Sequence, residues 1–242
     1  MISLVTFKEP KSPVSEAYRS IRTNIKFSSI DKNIKTILVT SSKQDEGKTT
    51  VISNMAVSFA ALEEKKVLII DADLRNPSVH KNFSLTNTYG LTEILSGQKN
   101  FKQVVQNTEI NNLQIIAAGK MPPNPSEMLI SKKMEEFIKT LEESYDYIFI
   151  DTPPIGVITD AGAIANYADA TILVVGSGET DIEMAKITKE KLEKVKANII
   201  GVILNKYTGE DNAYGYYSYC YEKNDSSRKA KHKKKAKKLA HF

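Results

Sequence analysis

KTILVTSSKQDEGKTT, residues 35–50, decides the fold. Its first half, 35–42, is a short apolar strand. Its second half, Ser42-Lys43-Gln44-Asp45-Glu46-Gly47-Lys48-Thr49-Thr50, is a loop that opens a helix expected from Lys48 to about Leu62. Strand, phosphate-type loop and helix in that order make a P-loop. In such a loop successive backbone N–H groups and the helix N-terminus wrap anionic oxygens. The Lys48 ammonium would reach the outer phosphates of a nucleotide, the Thr49 hydroxyl would bind Mg2+, and Thr50 would add a hydroxyl. Two features depart from the pattern. Ser42 stands where the pattern has its first glycine, and Asp45 and Glu46 bring negative charge beside phosphates.

Working outward, nearly continuous apolar strands alternate with helical patterns. Strands are expected at 65–71, 113–119, 145–151, 170–175 and 198–205, and helices at 131–143, near 160–167 and at 181–196. A short helix is expected around 91–95 and a rigid turn at 121–127. This implies an α/β chain of P-loop NTPase type, with a mostly parallel central sheet covered by helices on both faces. Ser12 and Pro13 form a helix start, with a stripe of Val14, Ala17, Ile21 and Ile25 running to about Phe27. On the helix 181–196 the expected stripe is Ile182, Ala185, Leu192 and Val195. No internal repeat is present.

Two further strands end in acids. Leu68-Ile69-Ile70-Asp71-Ala72-Asp73-Leu74-Arg75 aims two carboxylates to one side by period-2 alternation. Ile148-Phe149-Ile150-Asp151-Thr152-Pro153-Pro154 ends in the same way. Ligands of open α/β sheets bind at the carboxyl ends of strands, which gathers Asp71, Asp73 and Asp151 near Lys48. Phosphoryl transfer needs carboxylates to hold Mg2+ and to receive or position the nucleophile's proton. One such aspartate is ordinarily a strand-end cap; three beside a P-loop read as a site.

The C-terminus is of another kind. Five of the eleven tyrosines fall in the run YGYYSYCY: Tyr214, Tyr216, Tyr217, Tyr219 and Tyr221. The spacing fits neither strand nor helix packing, so it reads as an exposed string of phenol hydroxyls. An ATP site joined to such a string implies an enzyme that phosphorylates its own tail or its neighbour's. Residues 223–242 hold nine basic groups and one acid, a charge of +8, so with +5 for the whole chain residues 1–222 carry −3. A polycationic tail seeks polyanions, anionic membrane among them. The expected organisation is a P-loop domain with an N-terminal oligomerisation helix over 1–207, a flexible tyrosine cluster over 208–222 and a basic disordered tail over 223–242. The single cysteine, Cys220, excludes an intramolecular disulfide and fits a reducing cytoplasm. The N-terminus is not that of a secretory signal, and no apolar run is long enough to span a bilayer.

Together these motifs resemble the bacterial tyrosine kinases of the capsule and exopolysaccharide type, over about residues 8–222. The P-loop (42–50), a second Walker segment (69–75) and a Walker B segment (148–154) carry the resemblance, with GLTEILSG (90–97), PPNPSEML (122–129) and Glu16-x-x-Arg19-x-x-Arg22. The resemblance implies an ATP- and Mg2+-dependent cytoplasmic kinase at the inner face of the membrane, held there by a membrane-spanning activator chain. Its expected role is control of polysaccharide synthesis and export, with a cognate tyrosine phosphatase and no nucleic acid as partner. It implies that Asp73 and Asp151 serve Mg2+, that Asp71 orients or deprotonates the attacking tyrosine, and that Asn205 reads the adenine. Glu16, Arg19 and Arg22 would pack subunits into a ring, although such a set is also an ordinary surface pair of about 0.2–0.5 kcal/mol. Gln44 and Asp45 replace a Pro-Gly pair common in the family's loop. Two rivals share parts of this pattern. A partition or cofactor-assembly type of switch ATPase would use Lys43 as a second loop lysine and water as acceptor, and a binding module would have lost its chemistry. The tyrosine cluster argues against the first. The intact Lys48, Asp71, Asp73 and Asp151 argue against the second.

Overall fold

The structure, a computed structural model, describes residues 4–28, 33–156 and 160–208. Residues up to Lys206 form one compact unit, and a second begins at Tyr207. The tyrosine cluster and the basic tail lie outside the described residues.

Two N-terminal helices, α1 (Val5–Lys8) and α2 (Pro13–Ser28), precede strand β1 (Thr36–Ser41) and helix α3 (Lys48–Ala60). Strand β2 (Val67–Asp71) is followed by three short helices, α4 (Val79–Asn82), α5 (Leu91–Leu95) and α6 (Phe101–Val104). Then come β3 (Gln106–Asn107), β4 (Leu113–Ile116), α7 (Pro125–Leu129), α8 (Lys132–Glu142) and β5 (Tyr147–Asp151). The unit closes with α9 (Asp160–Ala165), β6 (Ala170–Gly176), α10 (Ile182–Lys194) and β7 (Ile199–Asn205). The seven strands run in the order β3-β4-β2-β5-β1-β6-β7. All neighbours pair in parallel except β3 with β4. The two-residue β3 carries too little pattern to be read from sequence, and the turn region at 121–127 ends in a helix started by Pro125.

The alternation along β1 explains why both faces are covered. Leu38 enters the core beneath α8, α9 and α10, whereas Ile37 and Val39 enter the core beneath α2 and α3. About 25 cal/mol per Å2 of buried apolar surface is the driving force on each side. Edge strand β7 departs from the expectation. Val202 and Leu204, in register with Leu173 and Val175, are 59% and 57% exposed. The sheet is therefore not fully covered at this edge.

Two helical stripes also differ from the sequence reading. On α2 the buried residues are Ser15, Tyr18 and Ile25, while Val14 and Ala17 face outward. Ser15 can be buried because its hydroxyl donates to the carbonyls of Val5 and Glu9 at 3.2 and 2.7 Å, which satisfies it without water. The Ser12 hydroxyl accepts from the Ser15 N–H at 3.2 Å, so the expected cap before Pro13 is present. On α10, Thr188 and Leu192 are buried and Ile182 is 72% exposed. Thr188 satisfies its hydroxyl on the Met184 carbonyl at 2.7 Å.

The GLTEILSG segment has a structural explanation. The buried Glu93 carboxylate accepts from the N–H groups of Gly90 at 2.7 Å and Lys120 at 3.3 Å, tying α5 to the segment after β4. A Cβ at Gly90 would lie 2.1 Å from the Ala117 carbonyl oxygen, so this close approach needs glycine. Among the described residues, no helix is long and apolar enough to cross a membrane.

Candidate active site

The carboxyl ends of β1, β2 and β5 bring the loop and both acidic motifs together. Asp71 and Asp151 are register partners on neighbouring strands, so their side chains leave the sheet side by side. Gly47 caps α3 in the left-handed region at φ 80°, and a Cβ there would meet the Asn205 amide nitrogen at 2.2 Å. Asp45 also holds a positive φ, 62°, at the position where the resembled loops carry glycine. Aspartate is among the few residues that tolerate this conformation, which explains how the loop forms without that glycine.

Lys48 is buried in the midst of the carboxylates. Its Nζ donates to Asp151 Oδ1 at 2.7 Å and lies 3.9 Å from Asp73 Oδ2. Thr49 Oγ1 donates to Asp151 Oδ2 at 2.7 Å, so one carboxylate holds both loop residues. Burial disfavours the Lys48 ammonium, but the charges of Asp151, Asp73 and Asp71 outweigh it and keep its pKa above the ordinary lysine value. Asp71 is fully enclosed. Its Oδ2 accepts from the N–H groups of Ser78 and Val79 at 3.1 and 3.0 Å, and its Oδ1 from Asp73 N–H at 3.2 Å. Burial first, and the Asp151 charge second, push the Asp71 carboxyl up to about 8. Burial also raises Asp73, opposed by Lys48.

A cavity of about 610 Å3 opens over this cluster, within the range of ligand sites. The loop residues Lys43 to Thr50 line it, with Asp73, Arg75, Asn76, Ser78, Lys81, Pro153 and Pro154. Asp73 thus faces the cavity and Asp71 lies behind it. The arrangement fits a magnesium nucleotide. Even with Asp71 protonated, Asp73 and Asp151 around one lysine leave negative charge for a cation, and the loop amides and cationic side chains suit phosphates. Among the described residues no three acids, thiols or imidazoles converge on one point as a complete metal site. Mg2+ commonly completes its shell with phosphate oxygens and water, taking only one or two carboxylates from protein.

Sequence reasoning missed several neighbours. Ser78 Oγ donates to Thr49 Oγ1 at 2.9 Å, and Asn82 Nδ2 donates to the Thr49 carbonyl at 3.3 Å and to Ser53 Oγ at 2.9 Å. Arg75 was legible only as part of its motif, and Lys81 carried no signal beyond following the Asp71 strand. Asn205 Nδ2 donates to the Glu46 carbonyl at 2.8 Å, beside the loop. The Lys43 ammonium donates to the Glu179 carbonyl at 2.6 Å.

The Glu16-Arg19-Arg22 set lies elsewhere, on α2. Arg19 forms a two-toothed contact with Glu16, at 2.7 Å from Nε, and Arg22 donates to the Ser58 carbonyl near the end of α3. Arg22 is therefore engaged within the subunit, at the end of α3 where a cation complements the helix dipole.

The family model described as AAA domain matches residues 34–200. The chain is 44% identical over 216 residues to the tyrosine-protein kinase YwqD of Bacillus subtilis (strain 168), covering 89% of this chain and 91% of that protein. It is 37% identical over 216 residues to the putative tyrosine-protein kinase CapB of Staphylococcus aureus, covering 89% and 94%. Among solved structures, that of the chimerical protein CapA2B2 superposes with a TM-score of 0.83 at 35% identity, covering 86% of this chain and 92% of that one.

Proposed function

This chain belongs to the bacterial tyrosine kinases of capsule and exopolysaccharide loci and is an ATP-dependent tyrosine autokinase, and we propose that it phosphorylates Tyr214, Tyr216, Tyr217, Tyr219 and Tyr221 of a neighbouring copy. The observation that carries the reading is the double hold of Asp151 on Lys48 and Thr49 beneath the loop. Those two side chains are the ones a P-loop would offer to the phosphates and metal of a bound nucleotide. Lys48 would hold the β and γ phosphates, and Thr49, Asp73 and Asp151 would hold Mg2+. The metal's contribution is to neutralise charge on the transferring phosphoryl group. Loop residues Ser42 to Thr50 shape the phosphate cradle, and Asn205 lies on the side where the adenine would be read. Asp71 orients the hydroxyl of the attacking tyrosine, or takes its proton in the ionised fraction of the enzyme, which grows as pH approaches 8. To reach it, the hydroxyl must enter past Asp73, and the Ser78 and Val79 amides must yield their hold.

The reading extends to the assembly. Residues 1–207 act as the kinase unit, 208–222 as acceptor and 223–242 as a basic tail that engages an anionic membrane surface. Glu16, Arg19 and Arg22 take part in a ring contact, a membrane-spanning activator holds the kinase at the inner face, and a phosphatase resets it. A switch ATPase is disfavoured because water would be its phosphate acceptor and it would have no use for the tyrosine cluster.

Incubation with Mg2+-ATP, followed by mapping of phosphotyrosine by mass spectrometry, tests the proposal. Changing the five tyrosines to phenylalanine should abolish nearly all phosphotyrosine while nucleotide binding persists. Phosphate found mainly on other tyrosines would overturn the assignment of the cluster.

A further inference from the structure

Glu46 is the residue whose observed surroundings depart most from its sequence reading. As a charge beside phosphates it should weaken binding. Instead its side chain is buried and fully occupied. Oε2 accepts from the backbone N–H groups of Ser42 at 2.6 Å and Lys43 at 2.9 Å. Oε1 accepts from the Gly176 N–H at 3.1 Å and from the Thr180 hydroxyl. Two successive N–H groups converging on one anion form the same kind of nest that binds phosphate. Here the loop supplies its own anion.

The other side of the contact is equally well anchored. Gly176 ends β6, and the Thr180 N–H returns to the Gly176 carbonyl at 3.1 Å, closing the turn that presents both donors. The Ser177 N–H donates to the Asn205 carbonyl at 2.8 Å, and Asn205 Nδ2 donates to the Glu46 carbonyl at 2.8 Å. Glu46 thus closes a circuit through the phosphate loop, the turn after β6 and the end of β7.

We propose that Glu46 is a positioning residue for phosphoryl transfer, whose carboxylate holds the loop open in its phosphate-binding shape and locks it to the 176–180 turn and Asn205. This inference rests on the reading of the loop as the ATP site. It adds that the Ser42 and Lys43 amides are consumed by Glu46 and do not contact the nucleotide. Phosphate contacts then fall to the amides nearer the start of α3.

The chemistry makes the substitutions unequal. Glu46→Gln keeps the shape but offers one acceptor oxygen where donors approach from both sides. The Thr180 hydroxyl can reverse to accept, whereas the Gly176 N–H cannot. Glu46→Ala removes both sides, and Thr180→Val removes one donor without touching the loop. The test measures affinity for a fluorescent ATP analogue with Mg2+, KM for ATP and kcat, and melting without nucleotide. Binding by the wild type checks the nucleotide reading by itself; ratios among variants check Glu46. Positioning predicts that Glu46→Ala weakens nucleotide affinity by about tenfold or more, with Glu46→Gln intermediate. Thr180→Val should raise KM a few-fold with little change in kcat or melting, and should add nothing in the Glu46→Ala background. If Glu46→Ala does not fold, Glu46→Gln and Thr180→Val decide the matter. Wild-type affinity and KM in the folded variants, whatever their melting temperatures, would overturn the proposal.

Discussion

Replacing Lys48 with methionine should do more than silence the enzyme; it should also destabilise the nucleotide-free protein. The Lys48 side chain is 8% exposed and that of Asp151 is 0%, and the two meet at 2.7 Å. Methionine is unbranched and of comparable length, so it leaves little cavity. What it leaves is a carboxylate without its cation. Breaking a buried pair by removing one partner costs about 3–5 kcal/mol. The Thr49 hydroxyl remains on Asp151 and softens the loss, so we place the expectation at roughly 3 kcal/mol. With a urea dependence of about 1–3 kcal/mol per molar, the unfolding midpoint should fall by roughly 1–3 M.

Urea titration followed by circular dichroism at neutral pH without nucleotide measures this. The double variant Lys48→Met/Asp151→Asn is the decisive comparison. Removing the stranded charge should return much of the lost stability without returning activity, because a neutral pair avoids the desolvation that the ion pair has to overcome. A single variant within about 0.5 kcal/mol of wild type, or a double variant less stable than the single, would refute the claim that Asp151 depends on Lys48 for its charge. The result also bears on any inactive Lys48 variant, whose loss of phosphotyrosine would combine weakened phosphate binding with a smaller folded fraction.

Two further outcomes follow from the same geometry. The Asp71 carboxyl, pushed up to about 8 from an ordinary 3.8, keeps a proton in the native state that the unfolded chain releases. Its contribution to stability therefore falls as pH rises between those values, and Asp71→Asn should remove that dependence. Wild-type stability measured against Asp71→Asn should drop from pH 5 to pH 8; a constant difference would show that Asp71 is not protonated in the native state. On α2, Arg19→Glu should leave melting nearly unchanged, because the Arg19–Glu16 pair is substantially exposed and such pairs contribute about 0–1 kcal/mol. The same change should convert the oligomer to monomers and reduce tail phosphorylation, whereas light scattering that shows an intact oligomer would remove Arg19 from the interface. Arg22→Glu is a poorer probe, since it strips the partly buried Ser58 carbonyl at the end of α3 of its donor, whereas Arg19→Glu, beyond the pair with Glu16, loses only an exposed bond to the Pro10 carbonyl.

What the sequence disclosed and what it hid divide along physical lines. The loop and the strand-end aspartates were legible because their geometry is local. An apolar run fixes a strand, the strand fixes which way Asp71 and Asp151 point, and parallel pairing brings them level. The helix stripes were partly misread because burial was inferred from apolarity alone. Ser15 and Thr188 are buried at the cost of hydrogen bonds that a backbone carbonyl on hand repays, which no periodicity count detects. Asp45 looked like a defect beside phosphates, and its positive φ shows an acceptable substitute for glycine.

Glu46 is the sharpest case of the remainder. Two of its donors, Gly176 and Thr180, lie 130 and 134 residues away in sequence. They reach it only because β1 and β6 are neighbours in the sheet, so that the loop after one strand and the turn after the other meet. A charge whose sign is unfavourable for the ligand becomes favourable once it is satisfied by the loop's own amides. The same side chain read from sequence weakens the site and read from the fold supports it. The difference is decided by where the carboxylate points, which depends on strand order and is absent from the spacing of the motif.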